Sequence, residues 1–303
     1  MSLSKRHITL RFKLAQGAFD QNNNDSFEIS GLRVSATVTK AGGASQSNLS
    51  LRVFGLPLSV MNKLTILGKP LVDGRSNTVS ILAGSDASGQ AAVFEGTISE
   101  AWVDAGGAPA VSFMVAAFSG IVPALKPIAP TSYKGPIDAA LAASALAQEN
   151  GYSFENSGVQ VTLRSPYYPG TMLSQLEAMA QEGDFNYILD DNAVSPGGIA
   201  TGKTLAIWPK DGSRNGDVPL IAPDTGMIGY PTRTENGILV RTLFNPNLVF
   251  GGQIQVESSL TPANGKWSIF RIEHELESET PGGKWFTSAE CSIFGQGVPT
   301  TNG

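Results

Sequence analysis

Residues 7–14, HITLRFKL, set apolar against polar side chains in alternation, the period-two signature of a half-buried strand. Residues 28–39, EISGLRVSATVT, repeat it, and so do 49–56, 77–84, 92–104 and 109–120. Short alternating segments bounded by turn residues predict a sandwich or barrel. Between them PLSVMNKLTILG predicts one short helical turn before the next strand, and FDQNNNDS a polar loop.

The period changes after FSGIVPALKPIAPTSYKG, which reads as a Pro-rich connector. Pro136 and Gly151 bracket IDAALAASALAQEN, a run rich in the best helix former. A second helix is predicted from Thr171, an N-cap, to Gly183. It places Met172, Leu176 and Met179 on one face, with Leu173 and Ala180 beside them. Strand-like runs at 159–163, 185–190 and 203–209 surround these helices, giving a small α+β unit. Past residue 213 the strand period returns in GILVRTLF, GGQIQVESSL, KWSIFRIEHELES and GKWFTSAECSIFG.

Two of these strand regions share a spacing. Phe94, Gly106-Gly107 and Phe118 are separated by twelve and twelve positions, and so are Phe270, Gly282-Gly283 and Phe294. A long hairpin with a glycine turn accounts for each copy, because glycine accepts the positive φ of tight turns. The first and last thirds therefore read as two versions of one barrel. The expected fold is mainly β with an α+β middle unit: a tube-like β-barrel over residues 1–122, a two-helix α+β domain over 123–212, and a second tube-like barrel over 213–303.

Composition narrows the function. A chain of 303 residues accommodates two or three modest cores. Hydrophobic residues make up 41% and charged residues only 16%, so part of the surface is expected to be covered by partner subunits. The 34 Gly and 18 Pro favour short strands and turns over long helices. A net charge of −5 without a basic block gives no support to nucleic-acid binding. One thiol, Cys291, forms no internal disulfide, and the Cys cluster of a zinc site is missing. The first residues alternate instead of forming an apolar leader, and no run reaches the length of a membrane span. The expectation is a soluble protein made in the cytosol, with no membrane insertion.

Candidate chemistry is thin. Gly197, Gly202, Lys203 and Thr204 match G-x-x-x-x-G-K-[ST], but the residues that follow, TLAIWP, alternate like a strand where a phosphate-binding loop needs a helix N-terminus. Asp190 and Asp191 before the loop would repel an anion and read as hairpin caps. His7 and His274 are the only histidines, too few for common zinc sites or a Ser-His-Asp triad. Glu273, Glu275, Glu277 and Glu279 alternate, so all four should project from one face of a strand. A glycosidase pair would need one of them in an apolar pocket. Trp102, Trp208, Trp267, Trp285, Tyr167 and Tyr168 lack interleaved basic residues and read as packing groups, not a stacking platform. Cys291 reads as a small buried hydrophobe. Catalytic, cofactor-binding and metal residues are all expected to be none.

Residues 244–295 carry an NP, then GGQIQVES, a His-centred strand and TPGGKWFT. This stretch resembles the closing segment of baseplate hub proteins of contractile-tailed bacteriophages. LSLRVFGLPLSVMNKLTILG is similar to their first barrel, and YYPGTMLSQLEAMAQEGDFNYILDD to their middle unit. The resemblance implies two tube-like barrels per chain and a homotrimer, so that six similar barrels form a pseudo-sixfold ring. It implies a tail tube protein, a spike protein and other baseplate proteins as partners. It also implies DNA only in transit through a channel, residence in the virion tail and assembly in the host cytoplasm. Acids outnumber bases in residues 213–303, which suits an acidic lumen along which DNA slides. The competing expectations are a tail-associated cell-wall hydrolase and a carbohydrate-binding β-protein.

Overall fold

The alternating segments of the first third become strands, and a β-bulge decides which side chains face inward. The computed structural model describes residues 5–43, 45–66, 77–164, 166–194 and 200–293. Its chain divides into two compact units. The first comprises Met1–Thr39, Ser47–Ile121 and His274–Phe286; the second comprises Lys40–Gln46, Val122–Glu273 and Thr287–Gly303.

In the first unit run β1 (Arg6–Lys13), β2 (Ser26–Ser30), β3 (Val34–Lys40), β4 (Asn48–Phe54), the short α1 (Leu58–Leu64), β5 (Thr78–Ser85), β6 (Gly89–Asp104) and β7 (Ser112–Phe118). They hydrogen-bond in the order β2-β1-β5-β6-β7-β4-β3. The single strand expected over 28–39 is two, because Gly31 turns the chain at φ 73°. Ile8, Leu10 and Phe12 of β1 bury their alternate side chains, as do Leu49, Leu51 and Val53 of β4. Each such side chain contributes roughly 1.5–3 kcal/mol when fully buried. Along β6, Phe94, Gly96 and Ile98 face inward at even positions. The register then shifts between Ile98 and Glu100. After that extra residue Ala101 is buried and Trp102 points out, 40% exposed.

The second unit holds the longer helices. Here α2 (Ile121–Leu125) and β8 (Pro127–Ser132) replace the expected Pro-rich connector, followed by β9 (Ile137–Asp138), α3 (Ala139–Glu149), β10 (Ser153–Asn156), β11 (Thr162–Leu163), β12 (Tyr167–Thr171) and α4 (Met172–Gly183). Asp138 caps α3 by accepting from the Leu141 N–H, and Thr171 caps α4 in a reciprocal box with Ser174. Met172, Leu176 and Met179 enter a core with Leu146, Leu163, Phe185, Leu205 and Ile207. That core lies on β13 (Phe185–Val194) and β14 (Ala200–Pro209), an antiparallel pair with β10 parallel to β14.

Then come β15 (Leu220–Ile221), β16 (Thr232–Arg233), β17 (Gly237–Leu243), β18 (Gln253–Val256), β19 (Gly265–Ser278) and β20 (Trp285–Ile293). They bury Val240, Ile254, Ile269, Ile272 and Cys291 in a cluster of their own. The two hairpins expected from the phenylalanine-glycine spacing both form: β6 pairs with β7, and β19 neighbours β20. Phe94 and Phe270 both lie on the first strand of their hairpin, although Phe94 is buried and Phe270 only partly so. Phe294 lies outside the described residues.

Candidate functional site

The phosphate-loop pattern is a strand hairpin. Lys203 and Thr204 sit within β14, where Thr204 pairs with Asp190 across the ladder and with Ser153 of the parallel neighbour. Thr204 is buried, with its hydroxyl 2.7 Å from the Ser153 hydroxyl. The Lys203 ammonium lies 5.8 Å from the Tyr152 ring centroid. Without a helix at Lys203 there is neither a row of free N–H groups nor a dipole to hold an anion. Gly197 lies outside the described residues, as does the side chain of Asp191.

Asp190 is not a hairpin cap. It is a mid-strand residue of β13, nearly buried, with Lys40 Nζ 3.4 Å from its carboxylate. The ladder carries two more described register positions beyond Asp190, so the turn comes later than the aspartate pair suggested. Beside this pair, Gly42 and Gly43 are held closely. The Gly43 N–H donates to the Tyr187 carbonyl, and a Cβ on Gly42 would stand 2.1 Å from the Phe250 ring.

The glutamate stripe divides. Glu273, Glu275 and Glu277 share the partly exposed face of β19, as alternation requires, with Ile272, His274 and Leu276 buried on the other. Glu279 breaks the series: it follows the strand's end at φ 53° and pairs with Lys5 at 2.9 Å. Each carboxylate has a nearby counterpart. Arg271 approaches Glu273 at 3.8 Å, Lys284 binds Glu275, and Glu277 accepts from the Lys284 N–H at 3.0 Å and the Ser35 hydroxyl at 3.3 Å. Three of the four charges thus have a cation beside them, and Glu277 is held by neutral donors. Glu273, Glu275 and Glu279 stay partly exposed with cations at hand, unlike a general acid held in an apolar pocket.

His274 is buried in β19, while His7 is partly exposed with Nε2 2.5 Å from Asp86. Among the described residues no three His, Cys, Asp or Glu gather as a metal cluster. Cys291 is fully buried, and desolvation, aided by Glu290, holds its thiol well above the ordinary range, so it stays protonated and inert. The aromatics do not form a platform. Trp208 is buried edge-on to Phe250 at 5.8 Å, and Trp285 is buried with Arg6 5.6 Å from its ring. Trp267 donates from Nε1 to the Ala263 carbonyl. Tyr168 is buried and donates to Glu182 at 2.6 Å; its desolvation and this carboxylate push its ionisation up. Trp102 and Tyr167 are exposed.

The polar groups that sequence reasoning missed are the buried ones. Arg214, its side chain 3% exposed, makes a two-pronged contact with Glu155, Nε to Oε1 at 3.0 Å and Nη2 to Oε2 at 2.6 Å. It also donates to the Phe250 carbonyl at 3.3 Å. Its setting, DGSRNGD, reads as a solvated loop, and no local pattern marks an arginine there as buried. The chemistry on view is that of cohesion: fixed ion pairs, packed aromatics and strand edges.

The chain matches the baseplate hub gp41 family over residues 16–291 and belongs to it. It is therefore a structural component of a bacteriophage tail baseplate. No curated protein matches it. Solved structures share the fold at very low identity. The tail protein from Neisseria meningitidis MC58 aligns at TM-score 0.57 and 9% identity, covering 96% of this chain and 98% of that one. The 43 kDa tail protein of prophage MuSo2 from Shewanella oneidensis aligns at 0.54 and 9%, covering 97% and 100%. The E. coli c3393 protein, described as a type VI secretion component similar to the T4 tail proteins gp27 and gp5, aligns at 0.53 and 8%, covering 89% and 78%.

Proposed function

We propose that this protein is a non-enzymatic hub that assembles as a homotrimer. The ring it forms joins the sixfold tail tube to the threefold spike and leaves a channel for DNA. The observation that carries the reading is the match to the baseplate hub family, which spans residues 16–291. Residues 1–122 and 213–303 act as the two tube-like barrels, with 123–212 between them. The paired hairpins β6–β7 and β19–β20, with their matching phenylalanine-glycine spacing, support a duplicated module. Two similar barrels per chain let three chains present six similar edges, which reconciles the two symmetries.

The channel does not rest on the glutamate stripe, of which Glu273, Glu275 and Glu279 are met by Arg271, Lys284 and Lys5. The tail tube, the spike and other baseplate proteins are the partners. The protein is assembled in the bacterial cytoplasm and resides in the virion tail. Native mass spectrometry and sedimentation of the full chain test the stoichiometry, and a trimer is the expected species. Peptidoglycan lysis by the pure protein, abolished by changing one glutamate, would overturn the non-enzymatic assignment.

A further inference from the structure

The first unit carries an open trough of about 400 Å³ whose lining is apolar except at one wall. Val53, Phe54, Met61, Val111 and Phe113 line it together with Arg33. The Arg33 guanidinium sits 4.1 Å from the Phe54 ring centroid, and no carboxylate pairs with it among the described residues. Stacking on a ring leaves the in-plane N–H donors of a guanidinium open to a carboxylate. The trough therefore suits an apolar side chain carried next to an acid.

The second unit displays such a segment. Residues 217–220 read Asp-Val-Pro-Leu. Asp217 is exposed and has no cation beside it among the described residues, and Val218 and Leu220 are 37% and 38% exposed. The segment is held ready: the Pro219 carbonyl accepts from the Gln255 N–H at 2.9 Å, and β15 pairs with β18 immediately afterwards. A segment fixed in this way loses little conformational entropy on docking.

We propose that the trough of one copy seats residues 217–220 of a second copy of this chain, with the Asp217 carboxylate on the Arg33 guanidinium and Val218 and Leu220 in the apolar trough. The inference rests on the trimer reading and deepens it. Each chain offers one trough and one segment, so head-to-tail docking is heterologous, the kind of contact that forms a ring when its rotation closes. In a chain of net charge −5 the copies repel at long range, and one specific cation-anion contact fixes which surfaces meet.

The test is sedimentation of the full chain over a concentration series, with circular dichroism of each variant as a folding control. R33E and D217R should each weaken self-association about tenfold or more, and R33E combined with D217R should recover most of the loss. R33Q and D217N, which remove one charge without reversing it, should show a smaller loss in the same direction. A trimer unmoved by either reversal overturns this seat and leaves the trimer standing. A double reversal no better than the worse single variant overturns the pairing of the two residues. A chain that stays monomeric at every concentration overturns both this seat and the trimer.

Discussion

The two units use the same ion-pair chemistry at opposite depths. In the first, Lys5–Glu279, Arg11–Glu28, Lys13–Asp25 and Arg52–Asp104 all lie at the surface, with Arg11 and Glu28 both more than half exposed. In the second, Arg214–Glu155 and Lys40–Asp190 are largely withdrawn from water, although Arg271 remains a surface arginine. Exposed pairs contribute about 0–1 kcal/mol, because water screens them and two long side chains must be ordered. A buried pair adds little over a hydrophobic replacement, but losing one partner strands a charge at a cost of about 3–5 kcal/mol. The first unit is thus held by its alternating hydrophobic strands. The second also depends on polar contacts that permit few alternatives.

The largest effect that could break this contrast is expected at Glu155. Glu155→Ala leaves the Arg214 guanidinium with only a backbone carbonyl and should destabilise the second unit by about 3 kcal/mol in urea denaturation. A loss below about 1 kcal/mol would place this pair with the surface ones. Lys40→Ala should cost less, about 2 kcal/mol, since Asp190 keeps further interactions. That loss should hold at high salt, where surface pairs are screened. Arg11→Ala should change stability by no more than about 0.5 kcal/mol, and salt should erase the difference. The smallest effect belongs to Tyr187, whose buried hydroxyl has no hydrogen-bond partner among the described residues and whose ionisation is pushed up by burial. Tyr187→Phe should be neutral or slightly stabilising, and a clear loss of stability would mean that the hydroxyl is satisfied.

Much of the fold was legible. The strands of both outer thirds follow from alternation, and α4 follows from the Thr171 cap and the spacing of Met172, Leu176 and Met179. The rejection of the phosphate loop was legible too, because TLAIWP alternates and Thr204 duly lies in a ladder. Other features were hidden by non-local causes. Trp102 shares the parity of the inward-facing Ile98, and only the bulge between them turns it outward. Asp190 reads as a turn residue until Lys40, 150 positions away in sequence, arrives beside it. Glu279 belongs to the glutamate series by spacing and leaves it through a positive φ just past the strand.

The sequence by itself determined the periods: most strands of the outer thirds, which two segments are long helices, that Thr171 starts the second of them, and how scarce catalytic residue types are, whereas the first helix begins at Ala139 behind an Asp138 cap and not at Pro136. These are local properties, set by side-chain spacing and capping within a few residues. Tertiary structure alone decided which charges are buried, which face of β6 carries Trp102 past its bulge, and that Arg33 lies over the Phe54 ring beside an apolar trough. Each of those depends on what chain distant in sequence brings alongside, and neither pleat nor helical turn encodes it.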